Sequence, residues 1–335
     1  MKKIIKFVIG KQRAQYLNNL RLLLTNFFND GVLYFKHASL FSIDNDRKIE
    51  CQIIIDYHSI EKGMLFKRMK ERFAIDRVSR LHDNLGKYLD FYDISNKSQI
   101  KVGLKLLCKY YELHSALECD ISDYFTEEQY FLYKKELGDD YDASFNGVIE
   151  LSKEELYSQV HSEFLYFSSS RKSIRNFTDQ KISKSKVEDA VKLSLNAPSV
   201  CNRQGAKIYY IDDKKKIEQI LEIQSGMRGY SEGVHQLLIL TQDRNFFYTV
   251  GERNQLYIDG GIFLMNLLYS LHYYNIAACP ANWGKNKKDE EELDKVITIP
   301  KNEKIICIIP IGEALDKFNV TLSERRKLTE IFRCV

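Results

Sequence analysis

The sequence predicts an α+β protein: a mostly α-helical domain over residues 1–165, then over 166–335 a domain of a few strands with long helices. Three observations carry this prediction. The four prolines stand at 198, 280, 300 and 310, so nothing of that kind breaks a helix in the first 197 residues. In that stretch apolar residues recur at three- and four-residue spacing. Beyond Arg171, β-branched and aromatic runs bounded by polar residues or glycine alternate with helical patterns.

The elements follow in order. Residues 1–13, "MKKIIKFVIGKQR", imitate a signal peptide, but Lys6 breaks the apolar core and no small-residue cleavage site follows. Residues 12–28 place Leu17, Leu20, Leu23 and Leu24 on one helical face. Residues 74–92 repeat Ile75, Val78, Leu81, Leu85 and Leu89, and 99–117 do likewise. Just ahead of 74–92, residues 57–73 carry a polar knot, His58, Glu61 and Lys62 before Gly63, which reads as a charged helix end or as a lid facing a ligand. After Arg171, Ser185-x-x-Glu188 offers a capping box to a helix that must stop before Pro198. Residues 207–212, 236–242 and 304–312 read as strands, and 252–275 as a long apolar helix. Gly260 and Gly261 interrupt that helix at about 1 kcal/mol each relative to alanine, which implies a close approach to its backbone. "KNKKDEEE" at 285–292 reads as an exposed helix start.

Composition narrows the function. Fifty basic against 46 acidic residues give a net charge of +4, too little to argue for a nucleic-acid partner. No stretch has the uninterrupted apolar length of a membrane span, so none is expected. Seven cysteines, scattered and without a CxxC pair, suggest neither a disulfide framework nor a metal site, and a reducing cytoplasm is the simplest setting. Ser-His-Asp, HExxH, P-loop and GxGxxG patterns are absent.

Four features remain. Arg171, Lys172 and Arg175 crowd around Ser173 in "RKSIRNF". Such a cluster alone reads as solvated surface; with a phosphorylated ligand it becomes a cradle, because arginine presents a fixed fork of charge-assisted donors. "APSVCNRQG" (197–205) breaks a helix and offers Ser199, Asn202 and Gln204, which alone read as turn residues. "IAACPANWG" (276–284) follows the Gly-Gly helix, and "FNVTLSERRKL" (318–328) follows the last strand. Cys201 and Cys279 read as inert thiols, and His235 and His272 as structural.

In this order the segments resemble the nitroreductase family of FMN-dependent oxidoreductases. "RKSIR" is similar to the family's R-[RH]-S-x-[RK] signature and "APSVCNRQ" to its A-P-S-x-x-N-x-Q turn, while 318–328 resembles its basic C-terminal segment. The resemblance covers about 165–330. It implies a central mixed sheet flanked by long helices, holding FMN, with the helical domain before it. It implies that Arg171, Lys172, Ser173 and Arg175 grip phosphate, ribityl and pyrimidine edge. Pro198, Ser199, Val200, Asn202 and Gln204 would line the polar rim, and Arg325 and Arg326 would complete the phosphate site. Trp283, the one tryptophan, reads as a flank of the ring or as plain core. The catalytic contact the resemblance implies is the backbone N–H of Asn282, aimed at flavin N5. His58 is the one further catalytic candidate, from the polar knot.

The implied reaction is ping-pong, from NAD(P)H to an unidentified small-molecule acceptor, in a homodimer. Two departures bear on the substrate: Gln204 is followed by Gly205-Ala206 where the family often has Pro-Trp, and Glu324 replaces a common lysine. Two alternatives stay open: a flavin-dependent dehydrogenase or oxidase of a peptide or small metabolite, and a non-catalytic flavin-binding module.

Overall fold

Long stretches without proline and with apolar residues on one face do fold as helices. The computed structural model describes residues 11–37, 42–66, 69–95, 97–247 and 250–335. The first ten residues of the signal-like stretch, and Lys67 and Arg68 of the 57–73 segment, lie outside the described residues. The chain divides into two compact units, 1–149 with 321–335, and 150–320.

The division therefore falls at 149/150 rather than at the expected 165/166. The helix Phe164–Ser170 explains the earlier boundary: Phe164 and Phe167 pack on Tyr269 with ring centroids 5.8 and 5.4 Å apart, and Phe167 lies 5.5 Å from His272. At the other end, Leu322 N–H donates to Gly147 O at 3.1 Å and Arg326 pairs with Glu50, so the C-terminal segment joins the first unit.

The first unit holds α1 (Lys11–His37), α2 (Asp46–Gly63), α3 (Ile75–Phe91), α4 (Ser98–Ala116) and α5 (Glu127–Leu137). α3 and α4 match the expected spans to within a residue, whereas α1 runs on past Phe28 to His37. Asn45 caps α2 through Lys48 N–H, and Thr126 with Gln129 forms a capping box on α5. Ile53, Ile60, Leu81, Leu85, Leu104 and Leu107 are fully buried where α2, α3 and α4 meet. Among the buried charges of α2, Asp56 receives Arg77, Arg80 and Gln52 at 2.5–3.0 Å. Burial opposes its ionisation, and these three partners together still hold the carboxyl below its ordinary range.

The second unit is built on a sheet. After β1 (Val148–Ser152) come α6 (Lys153–Tyr157), α7 (Phe164–Ser170), α8 (Lys184–Ser194), β2 (Ala206–Ile211), α9 (Lys214–Gln224), β3 (Gln236–Asp243) and α10 (Gln255–Tyr273). Next are β4 (Ala277–Ala278), β5 (Ala281–Asn282), α11 (Lys287–Asp294), β6 (Glu303–Gly312), β7 (Lys317–Thr321) and α12 (Leu328–Ile331), the last in the first unit. The strand order is β2-β3-β6-β4, with β5 also on β6, and β1 pairs with β7 separately. The mixed sheet expected here is made, among the described residues, of antiparallel pairs. α8 starts at Lys184, so its cap is Ser183, and Ser185 of the expected capping box already lies inside the helix. Leu238, Leu240, Ile309 and Ile311 of the sheet pack with Leu267 and Leu271 of α10 and Val187 and Ala190 of α8.

Two irregularities of β6 set the positions of its neighbours. Pro310 has no N–H to donate, and its carbonyl accepts from Cys279 N–H at 3.1 Å. In an antiparallel ladder a residue's N and O face the same neighbour, so the missing donor falls at the Cys279–Pro280 gap between β4 and β5. The β3–β6 register also shifts, with Leu240 opposite Cys307 but Thr241 opposite Ile305. Ile306 is the extra residue of this bulge, and its side chain lies where a Cβ on Gly260 would fall, at 2.8 Å. The close approach implied by the Gly-Gly helix is thus real at Gly260, while Gly261 has nothing within 4 Å.

Candidate functional site

The segment Arg171–Phe177 leaves α7 and runs beside the sheet. Ile174 N–H donates to Ala278 O at 3.0 Å, Phe177 bridges Ala314, and Thr178 N–H donates to Glu313 O at 2.9 Å. Ile174 and Phe177 are buried, which fixes the backbone while Arg171, Lys172, Ser173 and Arg175 stay half-buried between them. Gly312 is required here, because a Cβ on it would come within 2.9 Å of the Phe177 ring. The hydrogen bond from Ile174 joins the basic segment directly to the 276–284 segment that carries Asn282 and Trp283.

Arg175 has a feature the sequence does not reveal. Its Nη1 is buried and has no hydrogen-bond partner among the described residues. The Arg175 charge is felt by the Tyr230 phenol, which is pushed up to about 12, chiefly by burial, with Arg175 pulling the other way. Behind Arg171 and Lys172 sits His272, buried, with Nε2 2.8 Å from Ser170 Oγ. Burial, with Arg171 and Lys172 adding to it, pushes this imidazole down to about 4, so it is neutral at pH 7 and does not compete for an anion.

The Pro198 turn is held by residues outside the motif that pointed to it. Val200–Asn202 is a single 3₁₀ turn, and Cys201, Asn202 and Gln204 all have positive φ, at 48°, 54° and 52°. Non-glycine residues rarely adopt this region, and three in four positions cost free energy that the surroundings must offset. Asp259, buried on α10 beside Gly260, accepts Val200 N–H at 3.2 and 3.4 Å and is itself held by Gln255 at 2.8 Å. Arg203 forks onto Glu252 at 2.8 and 3.0 Å, both side chains being 17% exposed, and also donates to Val200 O and Phe246 O. Ser199 Oγ accepts Gln204 N–H at 2.9 Å, and the Gln204 amide turns back onto Asn202. Pro198, Asn202 and Gln204 are exposed; Ser199 and Val200 are half-buried.

On the other strand, Asn282 is exposed and its carbonyl accepts Gln224 Nε2 at 3.0 Å, which ties the end of β5 to α9. Trp283 is buried, and its indole Nε1 has no partner among the described residues. Cys279 and Cys307 are buried, and burial pushes the Cys307 thiol up to about 12, which makes it inert.

The remaining expected residues belong to the first unit. Arg325 is exposed, and Arg326 Nη1 donates to Glu50 Oε1 at 2.5 Å and to Glu330 Oε2 at 3.3 Å. Glu330, four residues on, is a partner that local spacing could have suggested, whereas nothing in the sequence points to Glu50, 276 residues away. His58 Nδ1 meets Glu61 Oε2 at 2.8 Å, with Glu61 fully buried and its Oε1 without a partner among the described residues. Arg203, Asp259, Glu252 and Gln224 are positioning residues that the motifs miss. Only Asp259, a charge in an apolar helix, carries a signal that could have been read.

No described cluster of His, Cys, Asp and Glu could hold a metal ion, and no described helix is long and apolar enough to cross a membrane. Comparison with curated proteins finds no match. Among solved structures, a nitroreductase-like protein from Streptococcus mutans is similar at 18% identity, covering 52% of this chain and 98% of that one, with a TM-score of 0.44. An FMN-dependent nitroreductase from Clostridium difficile is similar at 17% identity over 49% and 92% of the two chains, TM-score 0.39. Nitroreductase A from Vibrio parahaemolyticus is similar at 20% identity over 45% and 66%, TM-score 0.40. The stretch that contains both the basic segment and the Pro198 turn, residues 169–242, matches the family model described as Nitroreductase family.

Proposed function

We propose that the chain is an FMN-dependent oxidoreductase that takes electrons from NAD(P)H and passes them, by a ping-pong sequence, to a small-molecule acceptor. The observation that carries this reading is the buried, unpartnered Nη1 of Arg175, within the stretch that matches the family model. A buried donor left unsatisfied costs about 1–3 kcal/mol, and more on a charged group, so this guanidinium is arranged for an anionic or carbonyl acceptor. FMN offers both, in its phosphate and in the pyrimidine edge of its ring. The free indole Nε1 of Trp283 is a second donor of the same kind on the adjoining segment.

When bound, FMN supplies a ring that accepts hydride from a nicotinamide and returns electrons to a second substrate. The chain's own part is to bind and orient. Arg171, Lys172, Ser173 and Arg175 would hold phosphate and ring edge, and neutral His272 leaves their charge undiminished. Ser199, Asn202 and Gln204 would meet the polar rim, on a turn kept in its strained form by Asp259 and by the Arg203–Glu252 pair. The backbone N–H of Asn282 would be the contact to the reacting ring atom, its strand end fixed by Gln224. We further propose a homodimer through α10, whose Tyr257, Ile258, Ile262 and Met265 are 38–54% exposed around the open side of Gly261.

The test is the visible spectrum of the purified protein, followed by anaerobic titration with NADH and NADPH. The reading expects flavin absorption that bleaches stoichiometrically with one of them. A yellow protein inert to both nicotinamides favours the oxidative or the non-catalytic alternative, and a protein that neither contains nor takes up FMN overturns the reading.

A further inference from the structure

The first 37 residues are charged unlike the rest. They hold seven Lys and Arg against a single acid, Asp30; of the chain's 50 basic and 46 acidic residues this leaves 43 and 45 for residues 38–335. The basic excess of the whole protein is therefore concentrated in this segment. Residues 11–37 of it form α1.

α1 also exposes what a helix in a globular protein buries. Leu17, Leu20, Leu23, Leu24, Phe27 and Phe28 are 37–75% exposed. At 3.6 residues per turn they fall within one arc of about 140°, wider than the roughly 100° stripe of an ordinary core-facing helix. By register Asn18, Asn19, Thr25 and Asn26 occupy the opposite side, with Leu22 and Leu33 as large apolar residues among them. Arg13, one turn before Leu17, falls within the arc at the start of the helix, where a long side chain can carry its charge out to the headgroups. No described helix is long and apolar enough to cross a bilayer, so a helix of this design would lie on a membrane rather than span it.

We propose that α1 docks the protein onto an anionic lipid surface, its leucine and phenylalanine arc in the acyl boundary and its cations among the headgroups. Charge selects this occupant over a second copy of the chain. Residues 11–37 carry four Lys and Arg against one acid, so two α1 helices brought together repel, whereas anionic headgroups neutralise the excess. The proposal is independent of the flavin reading, because lipid binding needs no cofactor.

The test is co-sedimentation of the full chain with vesicles of phosphatidylcholine, with and without phosphatidylglycerol. Binding to the anionic vesicles is expected, weakening with salt. Leu20→Asp and Phe27→Asp, on exposed positions, should each lower it about tenfold or more, and Arg13→Glu and Arg21→Glu about fivefold or more each on anionic vesicles. Asn19→Asp, on the polar side, should change it far less than Leu20→Asp does. Wild-type protein that stays in the supernatant with anionic vesicles overturns the proposal. So does a Leu20→Asp protein that loses an oligomer in light scattering while vesicle binding is unchanged, which would give the arc to a second copy.

Discussion

Replacing Gly260 and Gly261 by alanine, one at a time, separates two roles that look identical in the sequence. Alanine inside a helix is worth about 1 kcal/mol over glycine. At Gly261 a Cβ meets nothing within 4 Å, so Gly261→Ala should gain most of that. At Gly260 the Cβ would stand 2.8, 3.0 and 3.1 Å from three carbons of Ile306. Ile306 is the bulged residue of β6, so it cannot retreat without disturbing the β3–β6 ladder. Overpacking of this kind costs about 1–3 kcal/mol, which cancels or outweighs the helical gain and leaves Gly260→Ala up to about 2 kcal/mol less stable. Urea unfolding reads both variants. The discriminating quantity is the coupling between Gly260→Ala and Ile306→Ala, expected at about 1 kcal/mol or more because truncating Ile306 opens the space the Cβ needs. Strictly additive effects would refute the contact, and with it the account of why this helix carries glycine at 260.

Three further outcomes are expected from the geometry. Arg203→Ala removes a charged fork from a mostly buried partner and should cost about 1.5–3 kcal/mol in urea unfolding, with FMN uptake weakened at the same time; stability lost with full FMN affinity would remove the turn from the site. Protonation of buried His272 opposes folding: its folded value is about 4 against an ordinary 6.5, so the stability it contributes is complete above about pH 6.5 and is lost as the pH falls toward 4. Its share is at most about 1.4 kcal/mol per pH unit in that window, and His272→Gln should flatten the acid limb of the pH–stability curve. Ile262→Lys places a charge on the exposed face of α10, and light scattering should then report a monomer in place of the dimer proposed for wild type; an unchanged mass would clear α10 of that role.

Much of the fold is legible in the sequence because its signals are local. Amphipathic spacing marks α3 and α4 nearly to the residue, and β-branched runs mark β2, β3 and β6, each within a residue. β4 and β5 are two residues each and carry no periodicity, so they are found only by their pairing with β6. Ser185 looks like a cap from spacing alone, but the choice of Ser183 depends on where the chain enters the helix. The candidate site divides the same way. Arg171, Arg175 and the Pro198 turn stand out as short motifs. Their supports do not, because Arg203 finds Glu252 across 49 residues and Val200 finds Asp259 across 59. Arg326, read as a phosphate ligand, has Glu50 and Glu330 as partners; the i,i+4 spacing to Glu330 is local, but no local pattern announces Glu50.

The central claim is that the Arg175 guanidinium is poised for FMN, and it is tested most directly by titrating FMN into apo wild type and apo Arg175→Met while following flavin fluorescence. Methionine keeps the length and the apolar stem but removes the charged donors. The lost charge-assisted bond, about 1.5–3 kcal/mol, should weaken FMN binding about ten- to a hundredfold. Because the Nη1 of wild type has no partner among the described residues, the apo variant should melt no earlier than wild type, and a later melt agrees with the account. An Arg175→Met protein that binds FMN as tightly as wild type would contradict it.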